Sequence, residues 1–262
     1  MHKPAIAAAL LVLGSLTGIF LSVGNPSWGN EVTLNSSPLI AQSSNRRGYE
    51  PPPTSRAPRR TVGGGTRGGC DGSAPINLTA LGPQSHIGAT AKTRPTLVWY
   101  VPDETPYQMQ LQLYRYAAAE GDELTPVKTF NLGESQSGYR LFTLPDDEPA
   151  LAVGSTYRWK VILQCNPGRP SQVALDEADL QVVAVTSGAA MGQGNLVDRA
   201  EQAIVAGLWY DAIALLSEAP VSPEAVAYRR DLLAGLAEQE ALDPNDGISL
   251  FSDRLRYLAE QE

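Results

Sequence analysis

The apolar pattern of this chain changes period near residue 188, and no single layer of secondary structure can satisfy both halves. Before that point the period is two. Thr96–Val101, TLVWYV, is an apolar and β-branched run closed by Pro95 and Pro102, which predicts a central strand stopped at both ends with Trp99 inside. Tyr107, Met109, Leu111 and Leu113 alternate with Gln108, Gln110 and Gln112, the signature of a half-buried strand with one wet face. Further strands are expected at Val127–Leu132, at Tyr139–Leu144, from Thr156 onward and at Leu180–Val185. In the strand from Thr156, Tyr157, Trp159, Val161, Leu163 and Cys165 share one face, and Arg158, Lys160 and Gln164 lie on the other. Six or seven short strands between turn signals predict a sandwich over 70–187. Within it, Gly154-Ser155-Thr156-Tyr157 resembles the tyrosine corner of immunoglobulin-like sandwiches, with Gly154 supplying the turn and the Tyr157 hydroxyl serving architecture.

Beyond a flexible join at 188–195, GAAMGQGN, apolar residues recur at helical spacing through 196–262. Gly207 separates two short helices. Ala212-x3-Leu216-x2-Ala219-x3-Pro223 resembles the second half of a tetratricopeptide (TPR) repeat. One such unit cannot bury both its faces, so it must pack on a further helix, Pro223–Glu240, and on the sandwich. A last helical stretch is expected at Asp253–Gln261. The fold class is therefore α+β in two parts: an all-β immunoglobulin-like sandwich, then a small TPR-like helical hairpin.

The N-terminal region carries other signals. After Lys3 comes the uncharged run Ala5–Val23, and small residues around Ser27-Trp28-Gly29 fit signal-peptidase cleavage, giving a signal peptide over 1–29. An uncleaved anchor is the alternative, since the run is about as long as a short membrane span. If the signal is removed, no membrane span remains. Residues 30–69 read as a disordered linker rich in Pro, Gly and Arg. Export places Cys70 and Cys165 in an oxidising compartment, where a disulfide between them is expected.

Candidate chemistry is sparse. TVGGGTRGGC, residues 61–70, has five glycines but lacks the lysine, preceding strand and following helix that a phosphate loop needs; it reads as slack that lets Cys70 reach its partner. His86 sits in a loop-like PQSHIG and is expected to be solvated; no GxSxG elbow surrounds any serine, and no catalytic residue is assigned. One body histidine and two distant cysteines do not make a zinc site, and Asp243-x-Asn245-Asp246-Gly247 reads as a turn before a calcium loop. No metal or cofactor is expected. The carboxylates of Asp146, Asp147, Glu148, Asp176 and Glu177 give the one enzymatic alternative, a carbohydrate-active or other hydrolase. Arg46, Arg47, Arg56, Arg59, Arg60 and Arg67 make the linker a basic arm, able to bind an anionic surface. A net charge of −8 and a lone Tyr49 among the arginines argue against nucleic acid as a partner.

Several spaced motifs resemble one family. They are Gly64-Gly65-x-Arg67-Gly68-x-Cys70, Leu78-Thr79-Ala80-Leu81-x-Pro83, Arg94-Pro95-Thr96 with Trp99-Tyr100-Val101-Pro102, Gly154-x2-Tyr157-x-Trp159 with Cys165, and Gly207-Leu208-Trp209-Tyr210-Asp211-Ala212. Over roughly 60–220 the chain resembles the cyanobacterial domain-of-unknown-function family 928. That resemblance implies an exported protein of a family without an assigned activity, and it carries over no catalytic residues. The function expected is a non-catalytic interaction or scaffolding module whose partner is a protein or another component of the periplasm or cell envelope.

Overall fold

The computed structural model describes residues 48–52, 68–117, 123–184, 192–218, 220–243 and 246–262. The expected signal segment and the six arginines of the basic arm lie outside the described residues.

Among the described residues, eight strands form two sheets. The smaller holds β1 (Thr79–Ala80), β3 (Thr96–Val101) and β6 (Gly138–Thr143) in the order β1-β3-β6. The larger holds β2 (Gly88–Thr90), β4 (Gln108–Tyr116), β5 (Leu124–Glu134), β7 (Thr156–Gln164) and β8 (Val173–Val182) in the order β2-β8-β7-β4-β5. Every pairing is antiparallel except β2 with β8. β3 has the bounds its flanking prolines impose, because neither proline can extend the ladder. β5 tolerates Pro126 because it lies at the sheet edge and pairs only with β4, with a register shift between Leu113 and Tyr114 at that point.

The period of two sorts side chains as the alternation predicts. Met109, Leu111 and Leu113 of β4 are buried, as are Tyr157, Trp159, Val161 and Leu163 of β7. Trp159 meets Trp99 of β3 across the sandwich, ring centroids 6.4 Å apart. Full burial of such rings stabilises by about 2–3 kcal/mol each. Between the sheets a small apolar void is edged by Phe130 and Phe142 and lined by Leu97, Leu111 and Leu180.

Among the described residues four helices follow: α1 (Leu196–Val205), α2 (Trp209–Ser217), α3 (Pro223–Glu240) and α4 (Asp246–Gln261). α1 opens on a capping box between Asn195 and Asp198, and α3 on Ser222, whose side chain accepts from Ala225 N–H, with Pro223 in the first turn. α4 begins seven residues before the expected Asp253, where Asp246 and Gly247 read from sequence as a turn.

α2 packs against β3, β2 and β6. Val98 of β3 is fully buried on the face turned away from Trp99, and Tyr139 of β6 lies under the Arg229 guanidinium of α3 at 4.2 Å. The helices thus cover the small sheet, and a third layer completes the α+β fold. Strands and helices share one core and one compact unit, 43–262.

Candidate functional site

Polar groups converge where the chain leaves β1. Trp209, in the first turn of α2, donates its indole N–H to Leu81 O at 2.9 Å. The neighbouring Tyr210 hydroxyl donates to Asp179 O at 2.8 Å and accepts from Trp159 Nε1 at 3.2 Å. That hydroxyl lies close against Gly82, where an added Cβ would come within 2.4 Å of it and within 2.7 Å of the Ala178 Cβ. Glycine at 82 is therefore a packing requirement.

The next residues are held by a carboxylate. Glu240, fully buried at the end of α3, accepts Gln84 N–H at 2.7 Å and Ser85 N–H at 2.8 Å. Backbone N–H bonds to a carboxylate are charge-assisted, so these two fix the loop firmly to the end of α3. Asp211 of α2 acts alike on the far side of β2, accepting Ala91 N–H at 2.8 Å. Burial pushes the Asp211 carboxyl above its ordinary range, against the hydrogen bonds from Ala91 and Thr90 that lower it.

His86 is buried, not solvated, with 5% of its surface exposed. Its Nε2 lies 2.9 Å from the Tyr49 hydroxyl and its Nδ1 lies 3.1 Å from Ser85 Oγ. Either neutral tautomer satisfies both nitrogens, since both hydroxyls donate or accept. Burial pulls the imidazole down to about 4, so it is uncharged at neutral pH. Burial, then the Glu240 charge, pushes the Tyr49 phenol well above its ordinary value. Serine, histidine and a buried acid thus lie near one another. The arrangement differs from a nucleophilic triad, in which the imidazole is oriented by a carboxylate. Here the group on Nε2 is a phenol, and the Glu240 carboxylate is taken by two backbone N–H groups.

A second polar cluster occupies the outer face of the large sheet. Arg158 binds Asp179 in a fork, Nε to Oδ1 at 2.7 Å and an NH2 nitrogen to Oδ2 at 2.9 Å, and reaches Glu177 at 3.2 Å. Tyr116 donates to the same Asp179 carboxylate at 2.7 Å. Burial works against the charged guanidinium, but the hydrogen bond and charge of Asp179, with Glu177, hold it above its ordinary value.

The sequence-predicted residues distribute as follows. Cys70 and Cys165 form a disulfide, Cα atoms 5.0 Å apart. Beside it Asp103 accepts Cys70 N–H at 2.7 Å, and burial pushes its carboxyl up. Tyr157 opens β7, its hydroxyl accepts Ala152 N–H at 2.9 Å, and Gly154 turns the chain at φ +80°. Trp99 and Trp159 are core residues, and among the described residues Trp99 Nε1 meets no hydrogen-bond partner. The acidic residues expected for a hydrolase have separate partners. Adjacent Asp176 and Glu177 project to opposite faces of β8: Asp176 binds Ala80 N–H and Arg254, whereas Glu177 binds Arg158 and Lys160. Asp146 pairs with Arg94 at 3.4 Å and Glu148 with Lys128 at 2.8 Å. Among the described residues no group of three metal-ligating side chains occurs, and no helix is long and apolar enough to cross a membrane.

Glu240 and Asp179 carry no signal in the sequence, Tyr49 stands there only as a lone aromatic among the arginines, and Tyr210 only as part of the Gly207–Ala212 motif. Trp209-Tyr210 at the start of a short apolar helix was the available signal, because two large aromatics there have to reach a neighbouring layer.

A family model described as Domain of Unknown Function (DUF928) matches residues 62–243. The chain belongs to the DUF928 family. No curated protein matches it. The DUF928 match spans both sheets and α1 to α3, so Trp209, Tyr210, Glu240 and His86 fall within it. Tyr49 precedes the match and α4 follows it, although Leu255 and Leu258 of α4 are core residues.

Proposed function

We propose that this protein is an exported, non-catalytic interaction or scaffolding module of the periplasm or cell envelope, from a cyanobacterium as the resemblance implies. Its architecture reads as an immunoglobulin-like sandwich with a TPR-like helical hairpin laid on one sheet. The strand order supports the sandwich reading: within the β2-β8-β7-β4-β5 sheet, β8-β7-β4 follows the order of a GFC sheet with β5 added at its edge, and it faces β1-β3-β6, one strand short of the opposing sheet of such domains. The Tyr157 hydrogen bond at the opening of β7 points the same way. The disulfide supports export, because such bonds persist in oxidising compartments.

The observation that carries the non-catalytic reading is where the buried polar groups go. His86, Glu240 and Asp211 each close on partners within the chain and hold segments together. A basic arm available to anionic envelope surfaces is part of the same proposal. Photo-crosslinking in living cells, followed by fractionation, tests both parts. The expected result is a periplasmic or envelope-bound protein crosslinked to an envelope component. A cytoplasmic protein with reduced cysteines refutes export. Hydrolysis of a glycan or ester that disappears on one of Asp146→Asn, Asp176→Asn or Glu177→Gln refutes the non-catalytic reading.

A further inference from the structure

The segment Gly48–Pro52, Gly-Tyr-Glu-Pro-Pro, lies against the body as a bound peptide would. Tyr49 is 3% exposed. Its ring stacks on His86 with centroids 5.5 Å apart and meets the Trp209 ring edge-on at 4.9 Å. Its hydroxyl is read by His86 Nε2 and its carbonyl accepts from Gln239 Nε2 at 2.5 Å. Three residues on, half-buried Pro52 rests at Gly207, where an added Cβ would come within 3.2 Å of its Cγ. Between them Glu50 and Pro51 face solvent.

Two anchors three residues apart with outward residues between them fit one turn of an extended polyproline helix, which repeats every three residues and rises about 9 Å per turn. Pro51 and Pro52 restrict φ, and each also biases its preceding residue toward that geometry, so little entropy is lost on docking. The socket combines a hydroxyl-specific contact, two aromatic walls and a side-chain amide donor to the peptide backbone, the elements by which grooves recognise such peptides.

We propose that the groove between the Gln84–His86 loop, the end of α3 and the α1–α2 turn is a recognition site for an extended Tyr-x-x-Pro peptide, with Gly48–Pro52 as its resident, displaceable occupant. This deepens the interaction-module reading and rests on it. Fifteen residues separate Pro52 from Gly68, whose N–H is held by Asn77 beside the disulfide. A tethered occupant of that kind competes at an effective concentration on the order of millimolar. A partner segment therefore binds only when it outcompetes the tether or when the tether is pulled away.

The test uses full-length chain and a labelled, end-capped peptide of residues 48–52, followed by fluorescence anisotropy. Tyr49→Ala in the chain empties the socket, so this variant binds the peptide at least tenfold more tightly than the wild type. Replacing tyrosine by alanine in the peptide weakens that binding at least 30-fold, the loss typical of a buried aromatic anchor. Gln239→Ala added to the Tyr49→Ala chain weakens it severalfold. A folded Tyr49→Ala chain that binds no better than the wild type overturns the proposal. A Tyr49→Ala chain that does not fold also overturns it, because an exchangeable occupant must be removable. Absence of peptide binding together with retained crosslinking to an envelope component sinks the groove alone and leaves the interaction-module reading standing.

Discussion

Tyr210→Phe isolates the joint between the helical layer and the sandwich. The substitution keeps the ring and removes one buried oxygen that donates to Asp179 O and accepts from Trp159 Nε1. Both groups left behind are buried, and Trp159 and Asp179 are each 0% exposed. An unsatisfied buried polar group costs about 1–3 kcal/mol, and the longer 3.2 Å bond contributes at the low end, so the total is about 2–4 kcal/mol. Urea unfolding followed by tryptophan fluorescence and by helical circular dichroism measures it. The midpoint should fall by about 1–2 M for a slope near 2 kcal/mol/M, with both probes still coincident because one core spans the layers. A companion variant sharpens the test. Gly82→Ala alone should destabilise by about 1–3 kcal/mol, since its Cβ meets the Tyr210 oxygen at 2.4 Å and the Ala178 Cβ at 2.7 Å. In the Tyr210→Phe background the nearest clash is gone and the Ala178 contact remains, so the two losses should add to less than their sum. A loss under about 0.5 kcal/mol for Tyr210→Phe, or strict additivity with Gly82→Ala, would refute the joint as described.

Three further predictions concern acid, redox and charge. Between about pH 6.5 and 4 the unfolded chain takes up a proton at His86 that the folded chain refuses, so stability falls as pH drops through that window. The loss is on the order of 3 kcal/mol, and His86→Gln should flatten that part of the pH profile in chemical denaturation. Reduction of Cys70–Cys165, or Cys70→Ser, removes a 95-residue cross-link worth about 4–5 kcal/mol in the chain-entropy model; a thermal midpoint unchanged by reductant would contradict it. Asp179→Asn leaves the buried Arg158 guanidinium short of its forked partner and should cost about 3–5 kcal/mol, whereas Arg158→Met with Asp179→Leu should recover most of it by calorimetry.

Much of the architecture was legible because it is written in short-range pattern. β3 runs between Pro95 and Pro102, and α3 begins at Pro223, as the sequence places them. The architectural role of the Tyr157 hydroxyl, bonded to Ala152 N–H, and the break at Gly207 likewise follow from neighbours in sequence. β1 and β2 were missed because strands of two and three residues are too short to show a period. β8 was expected to start at Leu180, but its first half reads Val173-Ala174-Leu175-Asp176-Glu177, where charges sit on both faces and blur the alternation. Those charges are tolerated because Arg254 meets Asp176 on one side while Arg158 and Lys160 meet Glu177 on the other.

The candidate site lay beyond that range. A histidine in PQSHIG and a tyrosine in a run of Arg, Pro and Gly carry no period, so nothing local announces that they are buried. Their burial depends on a socket assembled from segments far apart in the chain: Gln239 reaches Tyr49 across 190 residues, and Glu240 reaches Gln84 across 156. Sequence alone determined which stretches form strands and helices and which two sulfurs can bridge, because those follow from the spacing of apolar residues and from a choice of only two cysteines. Which face the helices cover, and that a five-residue segment of the arm fills a pocket between them and the sandwich, was decided only when the layers packed and brought those distant groups within hydrogen-bonding distance.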